Sequence, residues 1–163
     1  MKAYGELLNG AANFSAPVLD VHEFLTHRGL SESFQQALTP LPCKVAYHDA
    51  CHMIHGQGIA AQPRDLLRSI PQLQLKEATE AGVCCGSAGI YNLVQPDEAA
   101  ELGQLKADDL SSTGAEIVAS ANIGCSLQLR RYLSQDGPKV EHPMELLARS
   151  AGVGPFSPRP NKA

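Results

Sequence analysis

Cysteine and histidine are the residue types in this sequence that could do chemistry. The chain has five Cys and six His among 163 residues. Thiolates and imidazoles bind soft and borderline metal ions, and thiolates are also nucleophiles and redox groups. Five cysteines cannot all pair with one another, and cysteines of a reducing cytosol more often bind metals or catalyse than form disulfides. The composition therefore favours a metal or redox site over a disulfide scaffold.

The spacing of four cysteines favours a metal cluster over a single zinc ion. Structural zinc sites usually take their ligands as two close Cys-x2-4-Cys pairs. Here Cys84 and Cys85 are adjacent, Cys51 lies 33 positions before Cys84, and Cys125 lies 40 positions after Cys85. Neighbouring side chains on an extended backbone diverge, so two adjacent thiolates reach two metals more easily than one ion. The pattern therefore favours iron–sulfur ligation.

Glycines next to these cysteines fit a bulky inorganic centre. Gly86 directly follows the Cys84-Cys85 pair, where it allows a close backbone approach and leaves N–H groups to bond sulfur. Cys125 stands where a helix is expected to begin, and a helix N-terminus stabilises a thiolate. In the alternative interpretation, Cys84 and Cys85 are small buried apolar side chains and the glycines only turn the chain.

Four histidines are predicted near the metal, as hydrogen-bonding groups or possible ligands. Imidazole suits zinc, iron and copper, although a loop histidine is more often solvated or hydrogen-bonded within the protein. Three of the four flank Cys51, and the fourth follows the last predicted strand. They are His48, His52, His55 and His142.

Proline and glycine divide the chain into strands and helices that alternate. Strands are predicted at 44–47, 73–76, 116–120 and 139–141, and helices at 17–29, 32–38, 63–70, 96–113, 125–134 and 143–151. The segment 48–58 is predicted to be a polar loop. Short connections of this kind are typical of βαβ units. The sequence thus predicts an α/β fold: a small doubly wound, Rossmann-like parallel sheet of about four strands, with helices on both faces.

Ligands of such sheets bind outside the carboxyl ends of the strands. Four thiols each lie in a segment that follows a predicted strand, as His142 does, and we expect them at this edge. Cys43 precedes the first strand and is predicted at the opposite edge. The four thiols are Cys51, Cys84, Cys85 and Cys125.

Composition and hydropathy limit the kinds of partner. A balance of 13 Lys and Arg against 17 Asp and Glu argues against binding to nucleic acid. No apolar run approaches the roughly 20 residues of a membrane span, and the first ten residues lack the apolar stretch of a secretory signal. A cytoplasmic location is therefore expected. The predicted organisation is an N-terminal helical segment at 1–40, one domain at 41–151, and a flexible tail at 152–163.

The motifs resemble the cysteine-rich (CCG) domain family. The similarity covers roughly Tyr47 to Arg149, and PVLDVHEFL is similar to a helix that precedes the motif in this family. More narrowly, the chain resembles the second such domain of the iron–sulfur subunit of glycolate oxidase (glycolate dehydrogenase). The wider CCG family also includes a cysteine-rich subunit of heterodisulfide reductase. The segments that carry the resemblance are YHDACHMIHGQGI, PRDLL, CCGSAGIYNLVQP, TGAEIVASANIGCSLQL and VEHPMELL.

The resemblance implies a 4Fe–4S cluster and a set of ligands. The family motif is a single Cys, then Cys-Cys-Gly, then Cys-x-x-Cys. Cys51, Cys84, Cys85 and Cys125 match its first four cysteines, whereas Gln128 stands at the position of the fifth. The missing thiolate favours an ordinary four-thiolate cluster over the five-thiolate, non-cubane form, and Gln128 joins Gly86 and the histidines as a group expected near the metal. Related domains also carry zinc, which is the alternative cofactor.

The resemblance also implies electron transfer within a larger complex. The cluster would take electrons from a flavin subunit that oxidises a 2-hydroxy acid such as glycolate, and pass them towards a quinone or another acceptor. The implied partners are flavin-containing subunits of glycolate oxidase and an upstream iron–sulfur portion of the same subunit, of which this chain would be the C-terminal part. Such a complex also allows peripheral association at the inner face of the membrane.

Two other functions stay open at this point. One is a zinc-bound or metal-free docking domain, and the other is a redox protein in which Cys84 and Cys85 cycle between dithiol and disulfide. The sequence has no Gly-x-Gly-x-x-Gly fingerprint to bind a flavin. We therefore expect no dehydrogenase activity from this chain alone.

Overall fold

A four-stranded parallel sheet organises the chain. The computed structural model describes residues 1–153, so most of the predicted tail lies outside the described residues. The strands lie in the spatial order β2-β1-β3-β4, and each neighbouring pair is parallel. This arrangement confirms the predicted parallel α/β fold. The strands are β1 (Lys44–His48), β2 (Gln74–Lys76), β3 (Ile117–Ser120) and β4 (Lys139–Glu141).

Helices precede the sheet and connect its strands. Within residues 1–153, no helix is both long enough and apolar enough to cross a bilayer. The helices are α1 (Tyr4–Leu7), α2 (Ala12–Ser15), α3 (Val21–Arg28), α4 (Glu32–Ala37), α5 (Cys51–Gln57), α6 (Ala61–Arg68), α7 (Tyr91–Val94), α8 (Pro96–Ser112), α9 (Ile123–Tyr132) and α10 (Pro143–Ser150).

Each face of the sheet has its own apolar core. Successive side chains of β1 point to opposite faces, so Ala46 joins one core and Val45 joins the other. Helices α5, α8 and α9 contribute to the core with Ala46, whereas α6 and α10 contribute to the core with Val45. A sheet covered on both faces explains why the central strand is almost entirely buried.

The segment predicted as a polar loop after β1 is mostly helical. Helix α5 runs from Cys51 to Gln57 and ends at Gly58, which adopts the left-handed conformation with a φ of 68°. Met53 of this segment and Ile59, the residue directly after Gly58, are buried in the core. The prediction of a loop was wrong because a glycine at a helix C-terminus is also a normal helix stop, and because burial of Met53 stabilises the helix.

The helix predicted to begin at Pro17 begins instead after Asp20. The Asp20 carboxylate accepts the N–H of His22, and the Glu23 carboxylate accepts the N–H of Asp20. This reciprocal pair is a capping box, which fixes the start of α3. Proline at an N-terminal position was therefore a weaker signal here than the acidic cap three residues later.

Candidate metal centre

Four thiols from three segments line one cavity. The cavity has a volume of about 730 Å³, and its wall includes Cys51, Cys84, Cys85 and Cys125. The structure therefore brings together the four cysteines that the sequence singled out. Cys43 instead precedes β1 and packs against the apolar core on the α6 and α10 face of the sheet.

Each thiol is positioned by the element that follows a strand. Cys51 begins α5 just beyond β1, and Cys84 and Cys85 lie in the loop between β2 and α7. Cys125 lies in the first turn of α9, where its N–H donates to the Asn122 side chain at 3.1 Å. This cap fixes the backbone of the turn and satisfies one of the N–H groups that a helix start leaves unpaired.

The neighbouring thiols of Cys84 and Cys85 have different partners. Cys84 is a neighbour of Cys51, whereas the sulfurs of Cys85 and Cys125 lie within 4.8 Å of one another. Interaction with the Cys125 thiol lowers the pKa of Cys85, and the same interaction raises the pKa of Cys125. Burial raises the pKa of Cys84. Four sulfur donors thus crowd into one site, and metal binding would release their protons.

A backbone N–H of the motif bonds one of its sulfurs. The N–H of Gly86 donates to Sγ of Cys84 at 3.4 Å. The backbone of Ser87 also helps to lower the pKa of Cys85. Gly86 has a φ of +81°, and a Cβ there would lie 2.5 Å from the Ala99 carbonyl oxygen of α8. Glycine is required at this position because the loop packs directly against a helix backbone.

Gln128 bonds the Ala99 carbonyl of α8, the same oxygen against which Gly86 packs. Its side chain is buried, and Nε2 donates to the Ala99 carbonyl at 3.1 Å. Among the residues that the structure describes, Gln128 is not on the cavity wall. It lies behind the cysteine loop, against α8.

The four predicted histidines occupy three different environments. His52 and His55 are exposed on α5 and line the cavity. His48 is buried at the end of β1, and one of its ring nitrogens lies within 4.8 Å of the sulfurs of Cys85 and Cys125. These three groups could together hold a metal ion.

His142 acts as the N-terminal cap of helix α10. Its Nδ1 accepts the N–H of Met144 at 3.1 Å, and its ring lies 5.5 Å from that of His22, measured between ring centroids. Burial lowers the pKa of His142, which favours the neutral ring that such a cap needs. The sequence placed His142 at the correct edge of the sheet, but the structure gives it a capping contact.

Ion pairs connect the site's segments, and the sequence did not reveal them. Arg64 of α6 donates to the Asp49 carboxylate at 2.8 Å and to the Glu77 carboxylate at 2.8 Å. Asp49 directly follows β1, and Glu77 directly follows β2, so Arg64 connects the starts of the two segments that carry the first three cysteines. Charges this far apart in sequence give no local signal of their pairing.

A second anchor holds the loop just before Cys84. The Asp109 carboxylate of α8 accepts the N–H groups of Thr79 and Glu80, at 3.0 and 3.1 Å. Lys106, one turn earlier and only 1% exposed, donates to the Glu80 carbonyl and lies 3.6 Å from the Asp109 carboxylate. Helix α8 thus fixes both sides of the Cys84-Cys85 pair.

Asp109→Ala is expected to lower the free energy of unfolding of the metal-free domain by about 3 kcal/mol, because it leaves a buried ammonium without its carboxylate. The matched control is Asp108→Ala. Asp108 is exposed and, within residues 1–153, its side chain bonds only Gln104 on the same helix, so its loss should cost less than about 0.5 kcal/mol. Chemical denaturation measures both, and equal losses would contradict the anchor.

Known proteins share the part of the chain that forms this site. The family model for the cysteine-rich domain, CCG, matches residues 45–130, a range that contains all four cavity cysteines. A fumarate reductase (CoM/CoB) subunit of Methanothermobacter marburgensis is 35% identical over 133 residues, which are 80% of this chain and 26% of that protein.

Two further relatives are glycolate oxidase proteins by name. The probable glycolate oxidase iron–sulfur subunit of Bacillus subtilis is 35% identical over 115 residues, 68% of this chain and 26% of that protein. The glycolate oxidase iron–sulfur subunit of Escherichia coli is 28% identical over 153 residues, 92% of this chain and 37% of that protein. The matched region thus spans about a quarter of the first two relatives. The match to the family model covers more than half of the chain and its four cavity thiols, and the chain belongs to the CCG cysteine-rich domain family.

Proposed function

We propose that this domain binds an iron–sulfur cluster and transfers electrons within an oxidoreductase complex. The observation that carries the proposal is the convergence of four thiols from three segments on one cavity. We assign the ligands to Cys51, Cys84, Cys85 and Cys125, and the cofactor to a 4Fe–4S cluster, for which four cysteine ligands are the usual set.

The directions of the adjacent thiols support a cluster over a mononuclear site. Cys84 is a neighbour of Cys51, while the sulfur of Cys85 lies within 4.8 Å of that of Cys125, so the two adjacent cysteines face different partners. Two thiolates that diverge in this way suit two metals of a cluster better than one tetrahedral ion. The same divergence argues against a disulfide between Cys84 and Cys85, because each sulfur already faces another partner.

The surroundings of the thiols suit a negatively charged centre. The N–H of Gly86 bonds the sulfur of Cys84, and such bonds stabilise thiolates and tune a cluster's potential. A bound cluster would supply one-electron transfer. The chain's own residues would hold its ligands in place and limit the access of water.

A zinc site is the second candidate because one observation favours it. His48, Cys85 and Cys125 offer three ligand atoms within 4.8 Å of one another. A set of sulfur and imidazole donors is normal for zinc. In that case the domain would be a metal-stabilised docking module without a redox role.

The relatives' names support a place in a glycolate oxidase type of complex. Two are named glycolate oxidase iron–sulfur subunits, and the third is named a fumarate reductase subunit. We therefore propose that this domain, at residues 41–151, works beside flavin-containing subunits and a further iron–sulfur portion in oxidising a 2-hydroxy acid. We place this complex in the cytoplasm, where it can associate with the inner face of the membrane.

Metal analysis of the anaerobically purified and iron-reconstituted protein tests the proposal. We expect about four irons and a matching amount of acid-labile sulfide per chain, with an EPR signal on one-electron reduction. One zinc without sulfide would instead support the docking module. A metal-free protein that titrates with two electrons would support dithiol chemistry, and either result would contradict the cluster.

A further inference from the structure

His48 is a buried polar residue that the proposed four-cysteine ligation leaves without a role. It ends β1 and is only 2% exposed. Its Nε2 is buried and has no partner in hydrogen-bonding geometry among residues 1–153. Buried nitrogens of this kind are usually hydrogen-bonded within the protein, because burial removes their hydrogen bonds to water and an unpaired polar atom costs free energy. The lack of a partner points to a group that the site would contain when it is loaded.

The neighbours of His48 distinguish its two ring nitrogens. Nδ1 lies 3.5 Å from Oγ of Ser120, the residue paired with His48 across β1 and β3. Oγ of Ser120 also lies 3.5 Å from the Asn122 carbonyl oxygen, but that oxygen already accepts the N–H and the hydroxyl of Ser126, both at 2.9 Å. We therefore take the Ser120 hydroxyl to donate to Nδ1, which leaves the hydrogen of a neutral imidazole on Nε2. The ring also lies beside the thiols, since one of its nitrogens is within 4.8 Å of the sulfurs of Cys85 and Cys125.

The charge balance of the cavity favours such a donor. Among the described residues, neither Lys nor Arg lines the cavity wall. Thiolates buried there are therefore stabilised by N–H groups, of which Gly86 already supplies one. A neutral imidazole adds a further N–H without a net charge.

We infer that His48 is a positioning residue that donates its Nε2–H to the thiolates of Cys85 and Cys125 and thereby raises the reduction potential of the bound cluster. This inference rests on the proposed function. One-electron reduction adds negative charge to the cluster and its sulfurs, so an N–H aimed at them stabilises the reduced form more than the oxidised form. Its role differs from ligation, in which Nε2 would bind a metal through its lone pair.

Three substitutions at His48 test this role. His48→Gln places an amide nitrogen near the former Nε2, His48→Asn places one near the former Nδ1, and His48→Leu offers neither. We expect all three to keep full iron and sulfide. His48→Gln should keep most of the wild-type midpoint potential in an EPR-monitored redox titration. His48→Asn and His48→Leu should shift the ratio of reduced to oxidised cluster about tenfold at a given potential, which is about 59 mV downwards for one electron.

Other outcomes overturn the inference in distinguishable ways. Equal midpoint potentials in the wild-type protein and all three variants would exclude donation from Nε2. So would a result in which His48→Asn keeps the wild-type potential and His48→Gln does not. Loss of iron from His48→Gln and His48→Leu alike would make His48 a ligand. Absence of a cluster from the wild-type protein would overturn the proposed function and this inference with it. If the leucine variant does not fold, as judged by circular dichroism, the comparison of Gln with Asn still decides the question.

Discussion

Cys84→Ser is expected to abolish the binding of an intact iron–sulfur cluster. The Cys84 thiol lines the cavity, as Cys51 does, and accepts the N–H of Gly86. A serine hydroxyl is a harder donor that stays protonated at neutral pH, so it replaces a thiolate poorly. Mutation of a residue that hydrogen-bonds a metal ligand lowers metal affinity roughly 10–100-fold. Loss of a ligand itself should lower the affinity by more than about tenfold. We therefore expect iron content, sulfide and EPR amplitude after reconstitution to fall by about tenfold or more.

Cys43→Ser is the matched control for this loss. Cys43 is half-buried, precedes β1 and packs in the core on the α6 and α10 face, away from the cavity thiols. Burial raises the pKa of its thiol, which therefore stays protonated and uncharged. We expect this variant to retain the full cluster. A full iron–sulfur signal from Cys84→Ser would contradict the ligand assignment.

The convergence of the thiols could be predicted because it depends on topology. Parallel strands joined by short crossovers bring the segments after each strand to one edge of the sheet. Assigning Cys51, Cys85 and Cys125 to segments that follow three different strands was enough to predict that they meet. An error of a few residues in a strand boundary does not move a loop to the other edge, so the prediction tolerated imprecise element ends.

The contacts behind the site could not be predicted, because they depend on tertiary packing. Lys106 and Asp109 look like an ordinary exposed pair one turn apart on a helix, yet Lys106 is buried and both bind the loop before Cys84. His142 stands at a strand end and was expected near the metal, yet its ring caps α10. In both cases the residue's partner depends on the direction in which its side chain points, and the spacing of residues along the sequence does not specify that direction.

The packing of the cysteine loop against α8 was likewise not foreseen. Gly86 was predicted to let the backbone approach an inorganic centre. In the structure, a Cβ added at Gly86 would meet the Ala99 carbonyl oxygen of α8, which accepts a hydrogen bond from the Gln128 side chain. The requirement for glycine thus comes at least in part from the protein itself.

Gly86→Ala is expected to destabilise the domain strongly and to reduce cluster binding with it. Gly86 adopts a φ of +81°, and a Cβ would lie 2.5 Å from the Ala99 carbonyl oxygen and 3.0 Å from its Cα. Left-handed backbone costs a non-glycine residue about 1 kcal/mol or more, and forced overpacking adds roughly 1–3 kcal/mol. We expect the free energy of unfolding of the metal-free domain to fall by about 3 kcal/mol, as measured by chemical denaturation.

Gly89→Ala separates the steric clash from the backbone effect. Gly89 is in the same loop and has a φ of +56°, but a Cβ there would meet no atom of the described residues within 4 Å other than those of its chain neighbours. Gly89→Ala should therefore lose only the backbone contribution of about 1 kcal/mol to the free energy of unfolding. The difference between the two variants measures the contact of the loop with α8. If Gly86→Ala were no less stable than Gly89→Ala, the loop could move away from α8 at little cost, and α8 would not be what holds Cys84 and Cys85 at the cavity.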